Sequence, residues 1–168
     1  TLQVVLIYWI VYKKRVEIDQ SGKIEQTNFD TIIALTNGIK KTIFIKKSEK
    51  RLLENYFRKR KLLTKFYPSL IFSVLVAVLI NESKVKTSVF IDTEYFGHDI
   101  FIKSNIEDIL EKLKFKNIPT IKFGFVGKES KSDYLASRVA RGKIKPDRII
   151  KANEVISIIF SIKKSGNT

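Results

Sequence analysis

Between Phe66 and Ile80 the chain reads FYPSLIFSVLVAVLI, fifteen consecutive residues without a charge. A helix this apolar on every side must be covered by other elements, yet it falls short of the roughly 18–20 residues that a membrane span needs. Ser69–Ile80 is therefore expected as a buried helix beneath a sheet, with Pro68 breaking or kinking whatever helix precedes it. The other apolar run, Thr1–Tyr12 (TLQVVLIYWIVY), is β-branched and aromatic, and its basic residues follow it. A signal peptide places them in front. Residues 1–13 are thus expected as a strand or an ordered apolar extension, a membrane is not expected as a partner, and a cytoplasmic location is the expectation that follows.

The sheet is legible around a turn. Asp30–Thr36 (DTIIALT) and Lys40–Lys46 (KKTIFIK) are two β-rich runs joined at Asn37-Gly38, the strongest short hairpin signal. Lys14–Asp19 reads as a strand ending at the polar Gln20-Ser21-Gly22-Lys23 turn, and Lys86–Thr93 and Thr120–Val126 as two more, five in all. Ser48 is placed as the cap of a helix carrying Leu52, Leu53, Tyr56, Phe57, Leu63 and Phe66 at helical spacing. Ser104-Asn105-Ile106-Glu107 fits a capping box opening a second helix. Ser132 is placed as the cap of Asp133–Arg141, with Gly142 as its stop. Lys151–Ile162 suits a helix or a strand. Residues 1–162 then form one α/β domain with a mixed five-stranded sheet flanked by helices, and 163–168 are a tail.

Composition narrows the chemistry. Without cysteine and with a single histidine, His98, thiolate metal sites, multi-histidine sites and a cysteine nucleophile are excluded. A metal would have to be held by carboxylates, which favour hard cations such as Mg²⁺ or Mn²⁺. The net charge of +15 points to a polyanionic partner, nucleic acid first. That charge is unevenly spread: residues 1–60 carry 13 basic and 6 acidic side chains, 61–110 carry 5 and 6, and 111–168 carry 14 and 5. The basic ends suit a phosphate backbone, through Lys23, through Arg58, Lys59, Arg60 and Lys61, and through Arg138, Arg141 and Lys143. A lysine-rich surface that merely solvates the fold is the plainer alternative.

The order strand, strand, strand, helix, strand, helix, strand, helix resembles that of the ribonuclease H-like superfamily. Short segments strengthen the likeness: IDQSG at 18–22, IDTEY at 91–95 and SDYLASRVA at 132–140. The resemblance implies a metal-dependent nuclease in which Asp19, Asp92 and Asp133 hold Mg²⁺ or Mn²⁺ and cleave RNA, DNA or a hybrid. Strand parity puts Glu17 and Asp19 on one face, and likewise Phe90, Asp92 and Glu94, so Glu94 joins as a fourth catalytic carboxylate. His98, near in sequence, is a candidate to move a proton. Many members also carry a glutamate on the first long helix, whereas Ser69–Ile80 has no carboxylate; Glu49, Glu54 or Glu94 would have to substitute. Without one, the fold could serve as a non-catalytic nucleic-acid-binding module. The plain alternatives are that Asp19 and Asp92 only start loops and that Asp133 only favours a helix dipole.

Overall fold

The computed structural model describes residues 2–13, 15–127 and 130–163. In chain order the elements are α1 (Leu2–Lys13), β1 (Val16–Ser21), β2 (Thr31–Thr36), β3 (Lys41–Ile45), α2 (Lys47–Lys59), α3 (Tyr67–Ser83), β4 (Val89–Asp92), α4 (Asp99–Lys112), β5 (Ile121–Gly124), α5 (Lys131–Ala140), β6 (Arg148–Ile150) and α6 (Ala152–Lys163). The strands form one mixed sheet in the order β5-β4-β1-β2-β3-β6. Only β2 runs against its neighbours; the β1–β4, β4–β5 and β3–β6 pairs are parallel. Five strands therefore point the same way, and their carboxyl ends share one edge, where open α/β sheets build their sites.

Alternation along the strands sorts the two faces. Ile18, Ile33, Leu35, Ile43, Ile45, Val89 and Ile91 join the main core with α3, in which every residue from Ile71 to Ile80 is buried. Each large aliphatic side chain buried there contributes about 1.5–3 kcal/mol, so the uncharged run does hold the layers together. α3 stops at Lys84, whose left-handed φ of 53° forms the C-cap. On the opposite face Ile32 and Ala34 of β2 pack against Ala136 and Val139 of α5 in a smaller cluster. Asp19 and Asp92 project on this second face, α5's side, one step along from the Ile18–Ile91 pair.

Several expectations are corrected. The sheet has six strands, because three residues at Arg148–Ile150 pair with β3; so short a segment has no periodicity to read. Residues 2–13 form a helix, not a strand. Their apolar run does not alternate, and the edges of the sheet are β5 and β6, so the run satisfies its backbone internally. α2 is preceded by Lys46 rather than capped by Ser48 and ends at Lys59; Leu52 within it and Leu63 beyond it are exposed. Pro68 opens α3 instead of interrupting a helix, since proline fits the first turn where no N–H partner is needed. α4 begins at Asp99, so Ser104 lies inside the helix and its capping box does not form. The cap of α5 is Ser130, whose Oγ accepts from the Asp133 N–H at 3.0 Å. Residues 152–163 are helical, which also takes Lys163 out of the expected tail; 164–168 lie outside the described residues.

The hairpin reverses over residues 37–40, with Asn37 and Gly38 both at positive φ, 84° and 103°. No helix among the described residues is long and apolar enough to cross a membrane.

Candidate metal centre

Parallel pairing aligns Ile18 with Ile91, and one further step along the two strands brings Asp19 alongside Asp92. Glu94, two residues beyond Asp92, keeps to the same face by parity. Each of these three side chains offers an oxygen, and the three atoms lie within 4.8 Å of one another. Among the described residues this is the one such group of potential ligands. Asp133 at the start of α5 stands outside it but close enough for its charge to act on Asp19 and Glu94.

Backbone donors fix the two aspartates. The Gln20 N–H donates to Asp19 Oδ1 at 2.7 Å, and the Val126 N–H donates to Asp92 Oδ1 at 2.7 Å. Each carboxylate thus has one oxygen held by a backbone N–H. Asp19 is 6% exposed. Burial, together with the charges of Asp92, Asp133 and Glu94, pushes its carboxyl up to about 7, against the opposing Gln20 bond. Burial likewise raises Glu94, opposed by Lys23, whose Nζ lies 3.9 Å from Glu94 Oε2 and donates to the Glu94 carbonyl at 3.4 Å. Crowded carboxylates with raised affinity for a proton are the electrostatic condition that a divalent cation relieves. Their hard oxygen donors suit Mg²⁺ or Mn²⁺.

The segment Gly22–Asp30 beside the cluster is pinned from below. Lys50 of α2 is fully buried, and its ammonium donates to the Lys23 carbonyl (2.7 Å), the Gln26 carbonyl (2.8 Å) and Thr31 Oγ1 (2.9 Å). All three of its protons are used. Burial lowers its pKa to about 8, opposed by Asp30 and Glu25. Gly22 is required where it stands: at φ +75° an added Cβ would sit 2.2 Å from the Asp30 carbonyl oxygen. The Tyr95 hydroxyl ties the same segment to β4 by accepting from the Ile24 N–H (3.2 Å) and from Gln20 Nε2 (3.3 Å). Tyr95 was visible only as part of IDTEY; Lys50, inside a charged helix, gave no signal in the sequence.

The expected basic residues divide. Arg138, Arg141 and Lys143 line an open groove of about 640 Å³ together with Ser130, Asp133 and Tyr134, so the carboxylate they share a groove with is Asp133. Lys23 is in contact with Glu94. Arg58, Lys59, Arg60 and Lys61 lie at the far end of α2, a helix packed into the core on the other face of the sheet. Arg58 there pairs with Glu54, and Arg60 stacks 3.7 Å over the Tyr56 ring. His98 does not join the ligand set: its Nδ1 is hydrogen-bonded to Ser69 Oγ and its ring packs 4.8 Å from Phe66. Glu54 is taken by Arg58, and Glu49 accepts the Ala152 N–H at 2.8 Å, which leaves Glu94 as the substitute among the three.

Two aromatic rings escaped the sequence reading. Phe96 and Phe125 are 73% and 79% exposed with centroids 6.5 Å apart. Phe96 follows Glu94 by two residues, and Phe125 precedes the Val126 N–H that holds Asp92.

No family model, curated protein or solved structure matches the chain.

Proposed function

We propose that the protein is a Mg²⁺- or Mn²⁺-dependent nuclease of ribonuclease H-like architecture that hydrolyses nucleic-acid phosphodiester bonds. The observation that carries this reading is the gathering of Asp19, Asp92 and Glu94 at the carboxyl ends of adjacent parallel strands in a chain of net charge +15. The element order β1-β2-β3, α2, α3, β4, α4, β5, α5 and the strand order β5-β4-β1-β2-β3 within the sheet support the fold assignment. Asp19, Asp92 and Glu94 would hold the metal, with Asp133 at the rim. When bound, such ions supply an activated water and stabilise the leaving oxygen.

The chain's own groups do the rest. Gln20 and Val126 hold the aspartates through their N–H groups, and Lys23 holds Glu94. Arg138, Arg141 and Lys143 bind phosphates along the groove, and Phe96 and Phe125 present faces on which unpaired bases stack.

The test is Mn²⁺ calorimetry on the wild type and on Asp92→Asn, followed by cleavage of RNA, DNA and hybrid by the wild type and the Asp19→Ala/Asp92→Ala protein. The expected result is metal binding lost in Asp92→Asn and cleavage lost in the double variant. Cleavage that survives the double substitution overturns the reading. A second reading, a non-catalytic nucleic-acid-binding module, is favoured by the engagement of Glu49 and Glu54 elsewhere and by the uncharged stretch of α3 from Tyr67 to Ile80. It predicts salt-sensitive binding without cleavage.

A further inference from the structure

Leu2–Ile7, the part of the apolar helix α1 whose side chains are described, belong to neither hydrophobic cluster. Leu2, Val4, Val5, Leu6 and Ile7 are between 56% and 87% exposed, on all sides of the helix rather than along one stripe. A helix apolar all round is a buried helix or a lipid-embedded one.

What covers α1 follows from charge and topology. The helix ends at Lys13, is followed in sequence by Lys14 and Arg15, and leads to the amino end of β1, the edge of the sheet opposite the carboxylates. The connectors leading into the amino ends of β3, β4, β5 and β6 lie on that same edge, because those strands run parallel to β1. They present Lys40, then Lys84 and Lys86, then Lys114 and Lys116, then Lys145, every one exposed. Their single acid, Asp147, is already engaged by the Thr42 N–H and hydroxyl at 2.8 and 2.9 Å. An exposed apolar helix beside a lysine-rich rim matches a bilayer whose headgroups are negative.

We propose that α1 inserts into an anionic membrane, with the amino-end edge of the sheet seated on the headgroups. The twelve residues of α1 at 1.5 Å each reach about 18 Å, deep enough to bury their apolar side chains in hydrocarbon about 30 Å thick. The carboxylate edge then faces away from the lipid and remains open to a polymeric substrate. This inference does not depend on the nuclease reading.

The experiment is flotation of the full chain with phosphatidylcholine vesicles containing about one-third phosphatidylserine, and with pure phosphatidylcholine vesicles. The wild type is expected to float with the former, and less so at high salt. Leu6→Glu/Ile7→Glu, and separately Lys84→Glu/Lys86→Glu, are each expected to lower partitioning at least about tenfold. Neither pair contributes to the core, and thermal unfolding of each variant confirms that it is folded. Absence of the wild type from the anionic vesicles, or flotation unaffected by both pairs, overturns the proposal. So does light scattering that shows an oligomer dissociated by Leu6→Glu/Ile7→Glu without lipid binding, since α1 would then be covered by a second copy.

Discussion

Replacing Asp19 with Asn should stabilise the metal-free protein at neutral and alkaline pH. The substitution keeps the shape and the Oδ1 acceptor for the Gln20 N–H while removing a charge held among Asp92, Asp133 and Glu94. Folding raises the carboxyl from 3.8 to about 7. Between those values the folded chain keeps a proton that the unfolded chain has released, so stability is full below the lower one and declines as pH rises through the upper one. At about 1.4 kcal/mol per pH unit the whole change is worth about 4 kcal/mol, and water entering the open cleft screens it to roughly half that. Urea unfolding in EDTA at about pH 5 and about pH 8 reads it directly. Because about two of those units lie between the two pH values, the wild type should lose about 1.3 kcal/mol between them, the Asp19→Asn protein should lose far less, and Mn²⁺ should restore only the wild type at the higher pH. A variant with the wild type's pH dependence, or one less stable than it at about pH 8 without metal, would refute the claim that Asp19 is held under electrostatic stress.

Two further outcomes are expected. Lys50→Met should cost about 3 kcal/mol in urea unfolding, because two carbonyls and the Thr31 hydroxyl lose a buried donor. Amide exchange over residues 23–30 should accelerate more than elsewhere, and uniform acceleration would argue against a local tether. Phe125→Ala should weaken single-stranded oligonucleotide binding about tenfold in EDTA and leave duplex binding unchanged, as read by fluorescence anisotropy; equal loss on both would mean that the ring does not stack on bases.

Much of this arrangement was readable beforehand, for identifiable reasons. Strand parity put Asp92 and Glu94 on one face because the side-chain period of a strand is two, and the β1–β4 register then brought Asp19 alongside them. Asn37-Gly38 announced its turn because few residues tolerate two successive positive φ angles. Capping was less reliable. The real cap of α5, Ser130, and the expected one, Ser132, are two residues apart, and their hydroxyls lie 3.0 Å from each other, so tertiary placement alone selects between them. Ser104 had the local pattern of a helix start, but the turn through Gly97, at φ 77°, had already begun α4 at Asp99. His98 was close to Asp92 in sequence but is held by Ser69 and Phe66, contacts that join distant parts of the chain. The conversion of residues 2–13 from strand to helix is of the same kind: an apolar run states that it needs cover, not which backbone it adopts.

The parallel strand β6 lies beside β3 although about a hundred residues separate them, and Asp147 grips Thr42 across 105 positions. The β2–β3 hairpin can close within about 1–10 μs of the chain becoming free to move, whereas this last pairing requires closing a loop that contains nearly two thirds of the chain. During synthesis, the outer edge of β3 is therefore exposed until Arg148–Ile150 has left the ribosome. Assembly from the middle outwards places the carboxylate strands β1 and β4 early and leaves the sheet's last unsatisfied backbone groups on the side farthest from them.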